Sequence, residues 1–153
     1  MTAKLDDIDM KILTTLYSDA WVSVPQLSKN LGVNLSVAYS RIKRLQKLGV
    51  IERFTIQVNE GALGMKAGAL AGLNIDPKHR EYILSEVSKV NGVRLIREVT
   101  GRFDLMISLR GRSLDELHRT SCDVIGKIPG VLHAEVFVEV SRSAPPVNFR
   151  LND

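Results

Sequence analysis

The sequence predicts an α+β protein with an N-terminal winged helix-turn-helix followed by a ferredoxin-like βαββαβ domain. Within roughly the first fifty residues, hydrophobic residues recur at helical spacing, and a tight glycine turn separates two of the helical segments. From residue 67 onward, β-prone and helical segments follow one another in the split order βαββαβ. The predicted boundaries are residues 1–58 for the first domain, 59–66 for a linker, 67–142 for the second domain and 143–153 for a tail.

Three helices are predicted in the first domain. The first begins at Asp6 or Asp7, where early acidic residues suit the positive end of the helix dipole. Ser23 and Gln26 have the spacing of a capping box for the second helix, and Gly32 suits its left-handed end. The third helix begins near Asn34 or Ser36. Its inward stripe is Ala38, Ile42 and Leu45.

Two other features of this domain carry structural expectations. Trp21, between the first two helices, is expected to anchor the core rather than to stack on bases. The β-prone residues 50–58 are expected to leave the helices as an extended segment, which gives the domain its winged character.

The outward face of the third helix is basic and carries no acidic residue. The second helix of a helix-turn-helix enters the major groove of DNA, so we expect this face to contact double-stranded DNA. Residues early in the helix are expected to reach base edges: these are Asn34, Ser36, Val37, Tyr39 and Ser40. Residues further along are expected to hold phosphates: these are Arg41, Lys43, Arg44 and Lys47. A solvated helix face is the alternative, and Arg41 equally suits an ion pair inside the domain.

The second half of the chain contains an internal repeat, KVNGV at 89–93 and KIPGV at 127–131, with each copy placed between a helix and a strand. The predicted strands are 67–75, 93–100, 105–110 and 131–140, and the predicted helices are about 77–90 and 113–128. Two helices cover one sheet face. We expect the other face, with Leu70, Gly72, Ile107 and Leu109, to pair with a second copy. Such a homodimer presents two recognition helices, which suits a pseudo-palindromic operator.

Several separated motifs resemble the Lrp/AsnC family, the leucine-responsive and asparagine-specific (feast/famine) regulators of bacteria and archaea. These motifs are LDDIDMKIL, LSKNLGV, SRIKRLQKLGVIERF, EVTGRFDLMI and IPGV, in the family's order and across nearly the whole chain. The resemblance implies a sequence-specific transcriptional regulator of amino-acid or related metabolism, in the prokaryotic cytoplasm and associated with the nucleoid. It also implies that the second domain dimerises, with dimers assembling into tetramers or octamers.

The resemblance further implies a small-molecule site, formed between dimers with the help of the TGRFD loop. Amides around Gly101 and the carboxylate of Asp104 suit the two charged groups of an α-amino acid. The implied effector-binding residues are Thr100, Gly101, Arg102, Phe103, Asp104, His133, Ala134 and Val136. A plain β-turn is the alternative. This chain departs from the family where Arg102 replaces a common acidic residue, and where Ala134 and Val136 replace common hydroxyl residues. Either the effector differs from the usual ones or there is none.

Other chemistry is poorly supported by the sequence. The three histidines, His79, His118 and His133, lack the spacing of metal ligands, and no phosphate loop or nucleophile motif is present, so we expect no enzyme, metal or cofactor. Cys122 is the only cysteine, which excludes an internal disulfide. The net charge of +4 is compatible with nucleic acid. Without a signal peptide or a long apolar run, the chain is expected to be soluble and cytoplasmic, with no membrane partner.

Three questions stay open at this stage. An architectural DNA-binding protein with weak sequence preference and no effector is the main alternative to a specific regulator. A metabolite-sensing oligomer whose N-terminal unit mediates only protein contacts is another. The proline-containing tail, with Val147, Phe149 and Leu151 in alternation, is expected either to add an edge strand within an assembly or to fray.

Overall fold

The computed structural model describes residues 4–151, which divide into two compact units. The HTH unit contains residues 4–57 together with 143–151, and the sheet unit contains Val58–Arg142. Residues 59–66, which we predicted as a linker, form consecutive turns that belong to the sheet unit. Glu60 in these turns is ion-paired with Arg94 and with Arg110 of the sheet, so the segment is bound rather than loose.

The HTH unit is built from α1 (Asp7–Ser18), α2 (Val24–Leu31) and α3 (Leu35–Lys47). Asp6 caps α1 in a reciprocal capping box with Asp9. The Ser23 hydroxyl accepts the Gln26 amide at 3.3 Å, but the Gln26 side chain donates to Asn30 instead of completing a second capping box. The turn between α2 and α3 passes through Gly32 in the predicted left-handed conformation, with a φ of 66°.

The core of the HTH unit is formed by one apolar stripe from each helix. Its buried members are Ile12, Leu27, Ile42 and Leu45. Trp21 is not part of it, and the expectation that it anchors the core is wrong, because 94% of this residue is exposed. Val22 and Val24 pack against the core in this region, so the tryptophan is left on the outside of the turn.

The segment after α3 forms no paired wing within residues 4–151. Residues 52–58 carry no helix or strand, and Phe54, Ile56 and Val58 are all exposed. In the single chain the tail carries no strand within residues 143–151 and packs on α1, and an edge strand within an assembly stays a prediction. The amide of Phe149 donates to the Thr14 hydroxyl at 3.0 Å, and the Phe149 ring meets the Tyr17 ring edge-on at 5.5 Å between centroids.

The sheet unit confirms the predicted βαββαβ order. Its strands are β1 (Ala67–Ile75), β2 (Val93–Glu98), β3 (Leu105–Gly111) and β4 (Val131–Val138), and all pairs in the spatial order β2-β3-β1-β4 are antiparallel. A 3₁₀ turn, Pro77–His79, leads into α4 (Arg80–Lys89). Helix α5 (Leu114–Arg119) continues as a π-helical turn, Thr120–Val124, and a 3₁₀ turn, Ile125–Lys127.

The two helices cover one face of the sheet, and the core lies between. Its strand residues include Ala69, Ala71, Leu73, Leu105, Ile107 and Leu109, and its helical residues include Ile83, Val87, Leu117 and Ile125. Ile107 and Leu109 were therefore assigned to the wrong face. Residues opposite each other in an antiparallel pair share a face, and Ile107 lies opposite the buried Ala71. The open face instead carries Leu70, Gly72, Met106, Ser108 and Phe137.

The sequence repeat corresponds to a structural repeat. Gly92 and Gly130 have φ values of 93° and 94°, and each directly precedes a strand. Each carbonyl accepts an amide from elsewhere in the unit at 2.8 Å, Gly92 from Arg110 and Gly130 from Asp76. A Cβ at Gly92 would lie 2.6 Å from the carbonyl oxygen of Arg110, so glycine is needed there for both its φ and its size.

Candidate nucleic-acid interface and effector loop

The outer surface of α3 is a polar and basic line. Ser36, Ser40, Lys43 and Lys47 follow one another at helical spacings of four, three and four residues, directly opposite the buried stripe of this helix. All four are exposed, and α3 contains no acidic residue. Lys43 and Lys47 form no ion pair with any acidic residue in the described part of the chain. This line therefore presents hydroxyls near the start of the helix and ammonium groups further along.

The beginning of α3 offers groups suited to reading base edges. Asn34 stands at the N-cap position, but its side chain makes no capping hydrogen bond. Val37 and Tyr39 are partly exposed on either side of the outward line. The methyl groups of Val37 suit a thymine methyl, and the Ser36 and Ser40 hydroxyls can donate or accept.

Two of the four basic residues predicted to hold phosphates form ion pairs inside the HTH unit. Arg41 Nη1 donates to Asp9 at 3.1 Å and also to Asp6. Arg44 Nη1 donates to the other Asp9 oxygen at 3.0 Å, and its Nη2 donates to the Lys4 carbonyl at 2.6 Å. For Arg41 this is the alternative that the sequence left open. For Arg44 the sequence predicted no such pair.

These contacts form a charge cluster between α1 and α3, consisting of Asp6, Asp9, Arg41 and Arg44. Asp9 is fully buried, and each of its carboxylate oxygens accepts from one arginine. The hydrogen bond from Arg41, together with the backbone amide of Asp9, lowers the pKa of Asp6 from 3.8 to about 2. The same contacts, chiefly the one with Asp6, raise the pKa of Arg41. Both members of the Asp6–Arg41 pair are therefore charged at neutral pH.

The effector loop is residues 100–104, between β2 and β3. Its Asp104 carboxylate accepts the Ile75 amide at 2.9 Å, so one of its oxygens is occupied in holding the loop against β1. Arg102 is ion-paired with Glu135 at 2.6 Å and lies 5.3 Å from the centre of the Phe103 ring. The Asn74 side chain donates to the Arg102 carbonyl at 2.8 Å.

Phe103 folds back onto the open face of the sheet. A Cβ on Gly72 would approach the Phe103 ring to 2.6 Å, which shows that the ring lies directly on this glycine. The ring also meets Phe137 edge-on, with centroids 6.0 Å apart. Glycine at position 72 thus makes room for the aromatic side chain of the loop.

The predicted effector residues lie on different faces of the sheet. Phe103 and the Arg102–Glu135 pair are on the open face, whereas Ala134 and Val136 pack against the helix-covered core. His133 lies opposite Asn74 and is exposed. Thr100 lines a shallow pocket of about 520 Å³ with Arg80, Glu98 and Val99. Gly101, at a φ of 134°, lies outside these contacts. One copy of the chain therefore brings only part of the predicted set together.

Several residues of both regions were not predicted from the sequence. Asp6 and Asp9 hold the flank of α3, and Asn74, Glu135 and Phe137 surround the effector loop. The sequence contains a signal for Asp6 and Asp9, because these two acids are three residues apart at the start of α1. Arg41 and Arg44 have the same spacing on α3. In the described residues, no group of three metal-ligating side chains comes together. No helix found there is long and apolar enough to cross a membrane.

Comparison with known proteins gives matches to both units. Residues 5–52 match the profile of a winged helix-turn-helix DNA-binding domain, and residues 68–145 match that of the Lrp/AsnC ligand binding domain. The HTH-type transcriptional regulator FL11 of Pyrococcus furiosus is 33% identical over 144 residues, which are 93% of this chain and 95% of the relative.

Solved structures agree with this result. The transcriptional regulatory protein PF0864 of Pyrococcus furiosus, a member of the AsnC family, is 32% identical, with a TM-score of 0.79 over 92% of each chain. The regulator NMB0573 of Neisseria meningitidis, solved as a complex with L-Met, has a TM-score of 0.89 at 20% identity, covering 97% of this chain and 98% of that one. At that identity the second likeness concerns the fold alone. The chain belongs to the Lrp/AsnC family, as its motifs indicated, and it is a DNA-binding, HTH-type transcriptional regulator and not an enzyme.

Proposed function

We propose that the protein is a sequence-specific regulator that binds a pseudo-palindromic operator in double-stranded DNA through α3. The observation that carries this proposal is the exposed line of Ser36, Ser40, Lys43 and Lys47 opposite the core of the HTH unit. In this proposal Asn34, Ser36, Val37, Tyr39 and Ser40 contact base edges in the major groove, which gives sequence choice. Lys43 and Lys47 contact phosphates, which gives affinity.

Arg41 and Arg44 enter this proposal in a different way from the lysines. Their guanidinium groups are already hydrogen-bonded to Asp6, Asp9 and the Lys4 carbonyl. They therefore hold the flank of α3 against α1, and the lysines supply the direct phosphate contacts.

The proposed assembly is a homodimer, or a tetramer or octamer of such dimers, which acts in the cytoplasm on the nucleoid. The open face of the sheet unit supports this proposal, because Leu70, Leu95 and Phe137 are left partly exposed on or beside it. A dimer supplies two copies of α3, and two-fold symmetry in the protein matches two-fold symmetry in the operator.

The proposed effector is an α-amino acid or a related small molecule bound by the sheet unit. The matched ligand-binding profile and the L-Met complex of the Neisseria regulator support this class of ligand. Arg102, Ala134 and Val136 differ from the family pattern, so the preferred ligand is expected to differ from those of relatives with hydroxyl residues at 134 and 136. A thermal-shift screen with all twenty amino acids at millimolar concentration tests this proposal. A ligand at about 100 times its Kd adds roughly 2.7 kcal/mol to stability, and twenty flat results would contradict an amino-acid effector.

The DNA proposal is tested by selecting bound duplexes from a randomised library. The affinity of the selected duplex is then compared with that of a random duplex at one salt concentration. We expect a ratio on the order of 10³ or more for a specific regulator. A ratio near one would instead indicate the architectural alternative.

The position of the interface is tested with Lys43→Ala and the control Lys78→Ala, which changes an exposed lysine of the sheet unit. We expect Lys43→Ala to weaken binding to all duplexes. It should also reduce the slope of log K against log salt by about 0.9 per protomer, which corresponds to the loss of one phosphate contact. The control should bind as the wild type does. Equal binding by the two variants would exclude the proposed orientation of α3.

A further inference from the structure

We propose that Asp6 is a positioning residue of the DNA interface, which binds the Arg41 guanidinium and thereby keeps this cation from neutralising a DNA phosphate. In this way Asp6 sets the sequence-independent part of DNA affinity and its salt dependence. The inference rests on the proposed binding of DNA by α3.

Arg41 lies on the flank of α3, beside the surface proposed to face DNA. It follows Ser40 of the outward line and points toward α1, and both residues line a groove of about 350 Å³ with Lys4, Leu5, Asp6 and Arg44. The groove therefore opens beside the surface proposed to face DNA. An arginine at this edge is within reach of the DNA backbone unless another group binds its guanidinium.

The charges of the cluster balance one another. Asp6 and Asp9 carry two negative charges, and Arg41 and Arg44 carry two positive charges, so the four groups together are neutral. The charge available to phosphates on α3 is then that of Lys43 and Lys47. The positive charges of two of the four basic residues on this helix are thus already compensated in the absence of DNA.

Asp6 and Asp9 differ in their exposure to solvent. The Asp9 side chain is 1% exposed, and releasing its arginines would leave a buried carboxylate unpaired. The Asp6 side chain is 51% exposed and that of Arg41 is 25% exposed, so their contact forms where water and phosphate can also reach. Asp6 is therefore the member of the cluster that competes directly with DNA for Arg41.

The experiment compares Asp6→Asn with Asp7→Asn by measuring binding to a labelled random-sequence duplex between 50 and 200 mM salt. Asparagine caps helices as well as aspartate does, so Asp6→Asn keeps α1 intact while it removes the exposed one of the two carboxylates that hold Arg41. The contact with buried Asp9 remains, and Asp9 keeps Arg44 as a partner when Arg41 turns to a phosphate. Asp7→Asn removes the same charge from the neighbouring exposed residue, whose side chain makes no bond to Arg41 in the described structure. It is therefore the matched control for a general electrostatic effect.

We expect Asp6→Asn to bind more tightly at low salt and to steepen the plot of log K against log salt by about 0.9 per protomer. For each protomer that contacts the duplex, the affinity should consequently fall about 3- to 4-fold more than that of the wild type across this fourfold range of salt. The ratio of selected to random duplex affinity should not change, because phosphate contacts act on all sequences alike. Adding Arg41→Gln to Asp6→Asn should restore the wild-type slope.

Two results would overturn the proposal. Equal slopes for the wild type and Asp6→Asn would show that Arg41 reaches no phosphate when it is released. An equal change in Asp7→Asn would show that only the overall charge matters. A wild type that binds no duplex at 50 mM salt would refute the proposed function itself, a result that is distinct from either of these.

Discussion

Asp9 makes the α1–α3 contact depend on charge as well as on apolar packing. The side chain is buried, and two arginines from one flank of α3 compensate its charge. Taking a carboxylate out of water is costly, so a buried carboxylate is tolerated only with such partners. The same arginines lie close to the proposed DNA surface, which makes substitutions at these positions affect folding as well as binding.

Arg44→Met should lower the free energy of unfolding of the HTH unit by about 1–3 kcal/mol, because it removes a charged donor from buried Asp9. Lys43→Met, on the adjacent exposed position, should change stability by less than about 0.5 kcal/mol. Urea denaturation of both variants measures the difference. Equal midpoints would mean that the Arg44–Asp9 contact contributes no net stability.

The Asp6–Arg41 pair should make stability depend on pH at low pH. The pKa of Asp6 is lowered from 3.8 to about 2, so the folded state favours the ionised carboxylate. The stabilisation is then complete above pH about 4 and is lost as the pH falls through about 2. Asp6→Asn should therefore be less stable than the wild type at pH 5 and should converge with it near pH 2. A stability difference that stays constant over this range would contradict the contribution of the ion pair.

At the scale of elements, caps and glycines made most of the fold predictable. Strand β1 has the predicted bounds of Ala67–Ile75, and the repeat glycines stand at the predicted junctions. Helix α5 was predicted to run unbroken to residue 128, but it changes to a π-helical turn after Arg119. There the buried Ser121 hydroxyl donates to the Leu117 carbonyl at 2.8 Å, and such a bond bends helices.

The predictions that were wrong concern which side of an element faces the core. In β1, small residues lie on both faces of the strand, Ala69 and Ala71 on one and Gly68 and Gly72 on the other, so hydrophobicity alone does not identify its core face. Ile107 and Leu109 were nevertheless predicted on the open face, although in β3 they alternate with Ser108 and Arg110, a pattern that favours them for the core. Their pairing with the buried residues Ala71 and Ala69 of β1 shows that they lie on the core face. Trp21, in the connection between α1 and α2, was expected to anchor the core, but its side chain is exposed.

The candidate sites were predictable to different extents. The outward line of α3 follows from helical spacing within one segment, and the structure places it as expected. The charge cluster around Asp9 is indicated in the sequence only by the matching spacing of its acids and arginines, because its members lie far apart in the chain. The contact of Phe103 with Gly72 also joins distant residues, and it depends on packing that a single sequence does not reveal. The same holds for the effector residues, which lie on both faces of the sheet.

The tail should act as a structural part of the HTH unit. Phe149→Ala removes the edge-on contact with Tyr17 and should lower the free energy of unfolding by about 0.5–1.5 kcal/mol. The neighbouring Arg150→Ala alters an exposed side chain and should have little effect. Thermal unfolding of the two variants, followed by circular dichroism, measures the difference. If both variants unfold as the wild type does, the tail contact makes no contribution to stability.

At the scale of the whole molecule, one face of the sheet unit is covered by helices and the other face is largely open. Two helices bury the first, whereas the second is covered only in part by Phe103 and by the ion pairs of Arg110 with Glu60 and Glu139. Leu70 and Phe137, opposite each other on β1 and β4, are left about two-fifths exposed. Apolar residues grouped on a sheet face are typical of an interface between subunits.

We expect Leu70→Glu to weaken self-association, because a charge in the middle of a sheet-to-sheet interface loses its water without gaining a partner. Leu114→Glu is the matched control, since it makes the same substitution at an exposed leucine on the helical side of the unit. Sedimentation equilibrium over a range of protein concentrations measures the dissociation constant. We expect it to rise by about tenfold or more for Leu70→Glu, which corresponds to at least about 1.4 kcal/mol, and to stay unchanged for Leu114→Glu. A shift in the control alone would move the interface to the helical side, and in that case the two recognition helices would need a different two-fold axis to reach a pseudo-palindromic operator.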